Sequence, residues 1–262
     1  MIHETIPPVD LTGPASPAVD ADESVTEADL GISAQARSMR DLEWILDRLV
    51  ERDPRRGGGL LDIGCGMGAL AAHIGGRLGA TELTGVDLDS ERLKAAAARG
   101  IRPLLLDLNV DGLPLSAGTQ RVVTCFGVLA YLNLYDNVLA ETARVLEDGG
   151  WLLLSMPNLA SYANRLALLL GYQPQAVAVS RFRQAGMRGR RRNPKTSANM
   201  PPLLHAATLG CMTEVLDAYG FDVEVVRGFA PGERRRLLDR LTRPFPRLSR
   251  RFLILARKRA AL

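Results

Sequence analysis

Cysteine, histidine and aromatic residues are all scarce in this 262-residue chain, which has three cysteines, three histidines and 5% Phe, Trp and Tyr. Cys65, Cys125 and Cys211 are odd in number and widely spaced. That spacing excludes a disulfide framework and a zinc-type Cys/His cluster, and the three read as reduced thiols of a cytoplasmic protein with no metal site. No apolar run approaches the roughly 20 residues needed to cross a bilayer; the longest fall near Trp151–Leu154 and Leu166–Leu170. The N-terminus also lacks the basic and then apolar stretches of a secretory signal. Lys and Arg are missing from residues 1–30, which carry Glu4, Asp10, Asp20, Asp22, Glu23, Glu27 and Asp29 among Pro, Ala and Val. The expectation is a disordered acidic leader over residues 1–32.

The remainder has the composition of one enzyme-sized domain, residues 33–262, with 47% hydrophobic residues across the chain and a net charge of +4. Basic residues collect in two places. One run holds Arg181, Arg183, Arg188, Arg190, Arg191, Arg192 and Lys195; the other extends from Arg234–Arg236 to Arg259. A solvated surface accounts for such runs, and so does an anionic acceptor or a peripheral membrane contact. Residues 175–203 lack periodicity and read as a basic insertion, expected to be a mobile lid over the acceptor pocket.

Hydrophobic spacing predicts a helix over 34–52 covering one end of a ligand cleft, then strands near 59–63, 82–87, 102–106, 121–126 and 151–156 with helices between them. A helix over 159–170 follows, then one over 209–219 with Gly220 as its stop, and strands over 221–226 and 251–258. This alternation dictates an α/β fold with a largely parallel, doubly wound sheet.

The most informative stretch is Leu60-Leu61-Asp62-Ile63-Gly64-Cys65-Gly66-Met67-Gly68. Glycine is required where the backbone turns with positive φ or touches a ligand. The pattern is G-x-G-x-G, not the G-x-G-x-x-G of dinucleotide binding. Asp62, two residues earlier, would repel a pyrophosphate and suits a cofactor with a positive charge and a free amino group. Asp87 ends the second strand about 20 residues on, where a carboxylate meets ribose hydroxyls; Asp107 ends the third. Either acid also serves as an ordinary helix cap or turn residue.

With these motifs the chain resembles the class I S-adenosylmethionine-dependent methyltransferases, in the small-molecule, glycan or methionine-biosynthesis-like branch. The resemblance implies a Rossmann-like seven-stranded sheet of order 3-2-1-4-5-7-6, strand 7 antiparallel. It implies S-adenosylmethionine as cofactor, held by Asp62, Gly64, Cys65, Gly66, Gly68, Asp87, Leu88, Asp107, Leu108 and Phe126. Asp87 would take both ribose hydroxyls, and Asp107 with the Leu108 N–H would take the adenine.

On the acceptor side the residues say less. Relatives often place a histidine before a Phe-Thr-Leu-like segment facing the active site; here His205 precedes Ala206-Ala207-Thr208-Leu209. His205 is the candidate base and Tyr131, which stands where relatives have Glu-His, a second catalytic candidate. Asn158 and Arg165, after the fifth strand, are candidate acceptor contacts, although Asn158 also suits a helix cap. The expected activity is O-methylation of a small molecule or glycan. A nucleic-acid methyltransferase, which would account for the basic runs, is the alternative, although no Asn-Pro-Pro-Tyr-like segment follows the fourth strand and a nucleic-acid partner is not expected; a non-catalytic partner protein of the same fold is the third reading.

Overall fold

The computed structural model describes residues 39–133, 135–174, 177, 205–229 and 244–260. The acidic leader, the basic insertion as a proposed lid and residues 234–243 of the second basic run lie outside the described residues. The helices are α1 (Met39–Arg52), α2 (Ala69–Leu78), α3 (Ser90–Ala97), α4 (Asp136–Val145), α5 (Tyr162–Leu169) and α6 (Leu209–Ala218). The strands are β1 (Gly59–Ile63), β2 (Glu82–Asp87), β3 (Arg102–Leu105), β4 (Gln120–Phe126), β5 (Leu146–Pro157), β6 (Phe221–Phe229) and β7 (Arg251–Lys258).

The seven strands form one sheet in the order β3-β2-β1-β4-β5-β7-β6. The pairs from β3 across to β5 are parallel, and β7 runs antiparallel to both β5 and β6. Alternating side chains make two cores. On β5, Leu152, Leu154 and Met156 join Val138 and Leu139 of α4 and Met212 and Leu216 of α6. Trp151 and Leu153 face the other way, with Leu42, Ile45 and Leu49 of α1, Ile74 and Leu78 of α2, and Leu93 of α3. Strands buried on both sides read as continuous apolar runs, which is why β1 and β5 stand out in the sequence.

Three boundaries differ by three residues or more from the sequence reading, one being β6, which runs on to Phe229 beyond the expected 226. The Asp148-Gly149-Gly150 stretch reads as a turn, yet β5 already begins at Leu146, which pairs with Gln120. A register shift between Gln120 and Val122 absorbs the extra residues, with Gly149 at φ 75. Helix α5 starts at Tyr162 instead of 159, because the Ser161 side chain accepts from the Asn164 N–H as its cap. Residues before it are pinned elsewhere: Leu159 N–H donates to the Ala207 carbonyl and Tyr162 N–H to that of Leu248.

A buried polar hub ties the opposite, N-terminal edge together. Asp53 accepts from Arg55, from Arg121 Nε at 3.1 Å and from Trp151 Nε1 at 3.2 Å. It thereby joins the end of α1 to β4 and β5.

Candidate active site

Open parallel α/β sheets bind ligands beyond the carboxyl ends of their strands, where neighbouring crossovers diverge. That edge carries Gly64, Gly66 and Gly68, at φ 75, 55 and 81, each for its own reason. A Cβ on Gly64 would collide with Val128 in the loop after β4, and one on Gly68 would lie 2.9 Å from the Ala96 Cβ of α3. A Cβ on Gly66 would meet no protein atom within 4 Å. Two of the glycines therefore close the loop onto its neighbours, and the middle one leaves a bare backbone facing open space.

Asp87 reaches across to this loop. Its Oδ2 accepts the Gly66 N–H at 2.8 Å and its Oδ1 the Asp89 N–H at 3.0 Å. A carboxylate offers about four acceptor positions, so two remain. Leu88 beside it is 70% exposed. Asp107 caps the turn after β3, its Oδ1 accepting both the backbone and the side-chain N–H of Asn109, and Leu108 is buried beneath. Asn109 Oδ1 in turn accepts the Asn133 N–H at 2.7 Å.

Asp62 is buried on the α1–α2 side of the sheet and accepts from Thr124 Oγ1 at 2.6 Å. Burial pushes its carboxyl up to about 7; the Thr124 hydroxyl opposes this and the nearby Asp87 charge adds to it. Burial, with Asp62 and Asp87 close by, also pushes the Cys65 thiol well above its ordinary range. Burial raises the Cys125 thiol to about 12, so neither thiol is a nucleophile near neutrality. Phe126, at the end of β4, packs partly buried on the α1–α2 core.

Two candidate catalytic groups converge on the 3₁₀ turn Leu129–Tyr131 after β4. His205 donates its backbone N–H to the Ala130 carbonyl, alongside Tyr131. His205 Nε2 lies 3.0 Å from the Asn133 carbonyl, and the ring stands edge-on to Tyr135 at 5.5 Å. With Nε2–H donated to that carbonyl, Nδ1 carries the lone pair. His73, by contrast, pairs with Glu43 of α1.

The two proposed acceptor contacts are placed differently. Asn158 is 1% exposed; its amide donates to the Pro246, Arg247 and Ser249 carbonyls and its Oδ1 accepts the Ala160 N–H. These bonds to the backbone brace the segment before β7. Arg165 Nε donates to the Ala160 carbonyl at 2.7 Å on the exposed side of α5. Thr124, Asn109 and Asn133 were not picked out by sequence reasoning: each matters through a partner more than 20 residues away, visible only once the strand order is known. Among the described residues no group of His, Cys, Asp and Glu could hold a metal, and no helix is long and apolar enough to cross a membrane.

Comparison with known proteins adds to this geometry. Residues 61–154 match the family model described as a methyltransferase domain. A ubiquinone biosynthesis O-methyltransferase of Albidiferax ferrireducens is 32% identical over 134 residues, 49% of this chain and 51% of that protein. The mitochondrial enzyme of the same name from Candida albicans is 35% identical over 108 residues, 38% of this chain and 32% of that one. The chain thus spans about half, or less, of the length of these relatives. A crystal structure of an S-adenosylmethionine-dependent methyltransferase from Mesorhizobium loti superposes with a TM-score of 0.55 at 21% identity, covering 81% of this chain and 96% of that one. The [4+2]-cyclase SpnF superposes with a TM-score of 0.53 at 19% identity, covering 84% and 81%. At these identities the structural matches establish the fold alone, and a cyclase among them shows that the fold does not dictate methyl transfer.

Proposed function

We propose, from the match of residues 61–154 to a methyltransferase-domain model and from the fold shared with an S-adenosylmethionine-dependent methyltransferase, that the chain is a class I enzyme of this kind, which transfers a methyl group from S-adenosylmethionine to a hydroxyl oxygen of a small molecule. The observation that carries this reading is the open backbone at Gly66 lying against a carboxylate, Asp87, that keeps acceptor positions free. A nucleoside fits such a cradle, since its ribose hydroxyls are donors and any Cβ at Gly66 would occupy its space. Asp107 and Leu108 would take the adenine, Gly64 to Gly68 and Asp87 the ribose and amino-acid portion. Bound there, the cofactor supplies an electrophilic methyl on a sulfonium. Oxygen as the acceptor atom is supported by the name of the relatives, and so is a small molecule over a glycan.

The protein's own part is orientation and proton removal. Holding the acceptor oxygen in line with the methyl provides much of the acceleration. A neutral hydroxyl must also lose its proton. His205, turned by the Asn133 carbonyl so that Nδ1 can accept, is the base, and Tyr131 on the adjoining turn positions the acceptor. His205→Ala is expected to lower turnover about 10²-fold or more, with cofactor affinity unchanged because the residue stands outside the nucleoside cradle. Labelled methyl transfer to a panel of hydroxyl compounds, followed from pH 5 to 9, checks both points. Equal rates for wild type and variant across that range would remove His205 from the mechanism, and no transfer to any hydroxyl, with cofactor bound, would favour a cyclase-like use of the fold.

Asp62 adds a pH dependence to binding. Its folded carboxyl titrates near 7, above its ordinary value of 3.8. It is therefore neutral below about 7 and charged above, and a cationic ligand beside it favours the charged form. Cofactor affinity is expected to rise with pH through 7. The raised value also means that the free chain loses stability as pH increases from about 4 to 7. Asp62→Asn should flatten both dependences; calorimetric affinities and melting curves at pH 5.5, 7 and 8.5 measure them, and profiles that stay as steep in the variant would contradict the assignment.

A further inference from the structure

Helix α5 inverts the usual arrangement of a surface helix, in which apolar side chains face the core and polar ones face water. Its inward side carries Asn164, which is buried with the capping Ser161 and donates its amide to the Asn158 carbonyl. Leu166, Leu169 and Leu170, at i, i+3 and i+4, share the outward side and are 55%, 81% and 52% exposed, with Leu168 exposed beside them. The end of the helix is held: Leu170 N–H donates to the Leu166 carbonyl, Tyr172 N–H to that of Ala167, and Gly171 turns the chain at φ 73. The turn 245–249 packs on the start of α5, where the Leu248 carbonyl accepts the Tyr162 N–H, and it adds Phe245, 60% exposed. Single exposed leucines are ordinary on a protein surface, but apolar side chains gathered in one region mark a contact surface.

The charge around this patch has one sign. No Asp or Glu occurs between Asp148 and Glu214, nor after Asp239, although the chain has 29 acids. Helix α5 lies in the first of these stretches and the 245–249 turn in the second. Arg165 and Arg247 are exposed there, and the chain running on from α5 carries the basic run that begins at Arg181. A solvated face mixes both signs, whereas cations without acids around outward leucines match an anionic surface with an apolar layer beneath it. A second copy of the chain fits poorly, because a two-fold contact would set the same cations face to face. The acidic leader would supply charge, but between Leu11 and Leu30 it has no apolar side chain larger than valine.

We propose that α5 and the 245–249 turn form a docking surface for an anionic lipid bilayer. The leucines and Phe245 would enter the boundary between headgroups and acyl chains, with Arg165 and Arg247 at the phosphates. A helix of eight residues suits lying in that interface and is far too short to cross it. Because α5 follows closely on the carboxyl end of β5, docking places the ligand edge of the sheet beside the bilayer.

The test is flotation of the full chain, without cofactor, on vesicles of phosphatidylcholine alone and of phosphatidylcholine mixed equally with phosphatidylglycerol. The protein should float with the mixed vesicles only, and high salt should weaken the association by screening the surface charge. Leu166→Gln, Leu169→Gln and Leu170→Gln combined should lower partitioning by about 10²-fold or more. Arg247→Gln should lower it by about fivefold, the effect of one charge near the surface. Both variants should keep the wild-type Tm and S-adenosylhomocysteine affinity, because the altered side chains are exposed and glutamine is a good helix former. No flotation, equal flotation with uncharged vesicles, or flotation unchanged in the triple variant would each overturn the docking surface. So would a lower Tm in that variant, which would mean that the leucines pack within the chain, or a wild-type dimer in solution that the variant abolishes. A chain that floats as expected but binds no S-adenosylhomocysteine would refute the methyltransferase reading and leave the docking surface standing.

Discussion

Asp87→Ala should weaken S-adenosylhomocysteine by at least about 10²-fold, because two ribose hydroxyl bonds to a carboxylate are lost and each is worth about 1.5–3 kcal/mol. The variant also frees the Gly66 N–H, which Asp87 Oδ2 holds at 2.8 Å, so the loop loses its brace as well as its ligand. Asp87→Asn separates the two contributions: one oxygen remains to accept from Gly66 or from a hydroxyl, and the charge is gone. An intermediate affinity is expected. Titration calorimetry on the three proteins measures the series, and an Ala variant within about threefold of wild type, less than 1 kcal/mol, would mean that the ribose lies elsewhere.

The second large effect concerns stability. Asp53→Ala should cost about 3–5 kcal/mol, since it leaves the buried Arg121 guanidinium without its carboxylate. Arg55 and Trp151 Nε1 lose the same acceptor. In a chain of this size that corresponds to a Tm lower by about 10 °C, at about 2–4 °C per kcal/mol. The site predicts an acid limb too. Burial alone would raise the Asp53 carboxyl, but the hydrogen bonds and charges of Arg55 and Arg121 outweigh it and hold the group at about 2, below the ordinary 3.8. A depressed carboxyl stabilises the fold above its unfolded pKa and stops doing so as pH falls through the folded one. Wild type should therefore lose this contribution between about pH 4 and 2, and Asp53→Ala should lack that part of the decline. Thermal melts from pH 2 to 7 compare the two, and matching Tm values at pH 7 would show that the hub is dispensable.

Most of the fold could be read from the chain because its strands are buried on both faces and punctuated by glycines and acids. Asp62, the three glycines, Asp87 and Asp107 fall at successive strand ends, and the sheet brings those ends to one edge. What could not be read was whatever depends on register. Asp62 and Thr124 are partners because β1 lies beside β4, and Ser155 and Arg251 are diagonal neighbours because β7 enters antiparallel. A serine in an apolar strand and an arginine in a basic tail carry no local signal of this. Asn158 illustrates the reverse. Its place after β5 suggested an acceptor contact, whereas its side chain is used on the backbone of residues 246–249. The Gly149-Gly150 pair has the composition of a turn, and only the pairing of Leu146 with Gln120 shows that the strand has already begun.

The central claim is that the edge from Gly64 to Gly68, with Asp87, is a nucleoside site for S-adenosylmethionine. Calorimetric titration of the full chain with S-adenosylhomocysteine, and separately with NAD, tests it most directly. The account predicts one equivalent of S-adenosylhomocysteine bound in the micromolar range and no heat from NAD. Absence of heat with millimolar S-adenosylhomocysteine, or tighter binding of NAD, would contradict it.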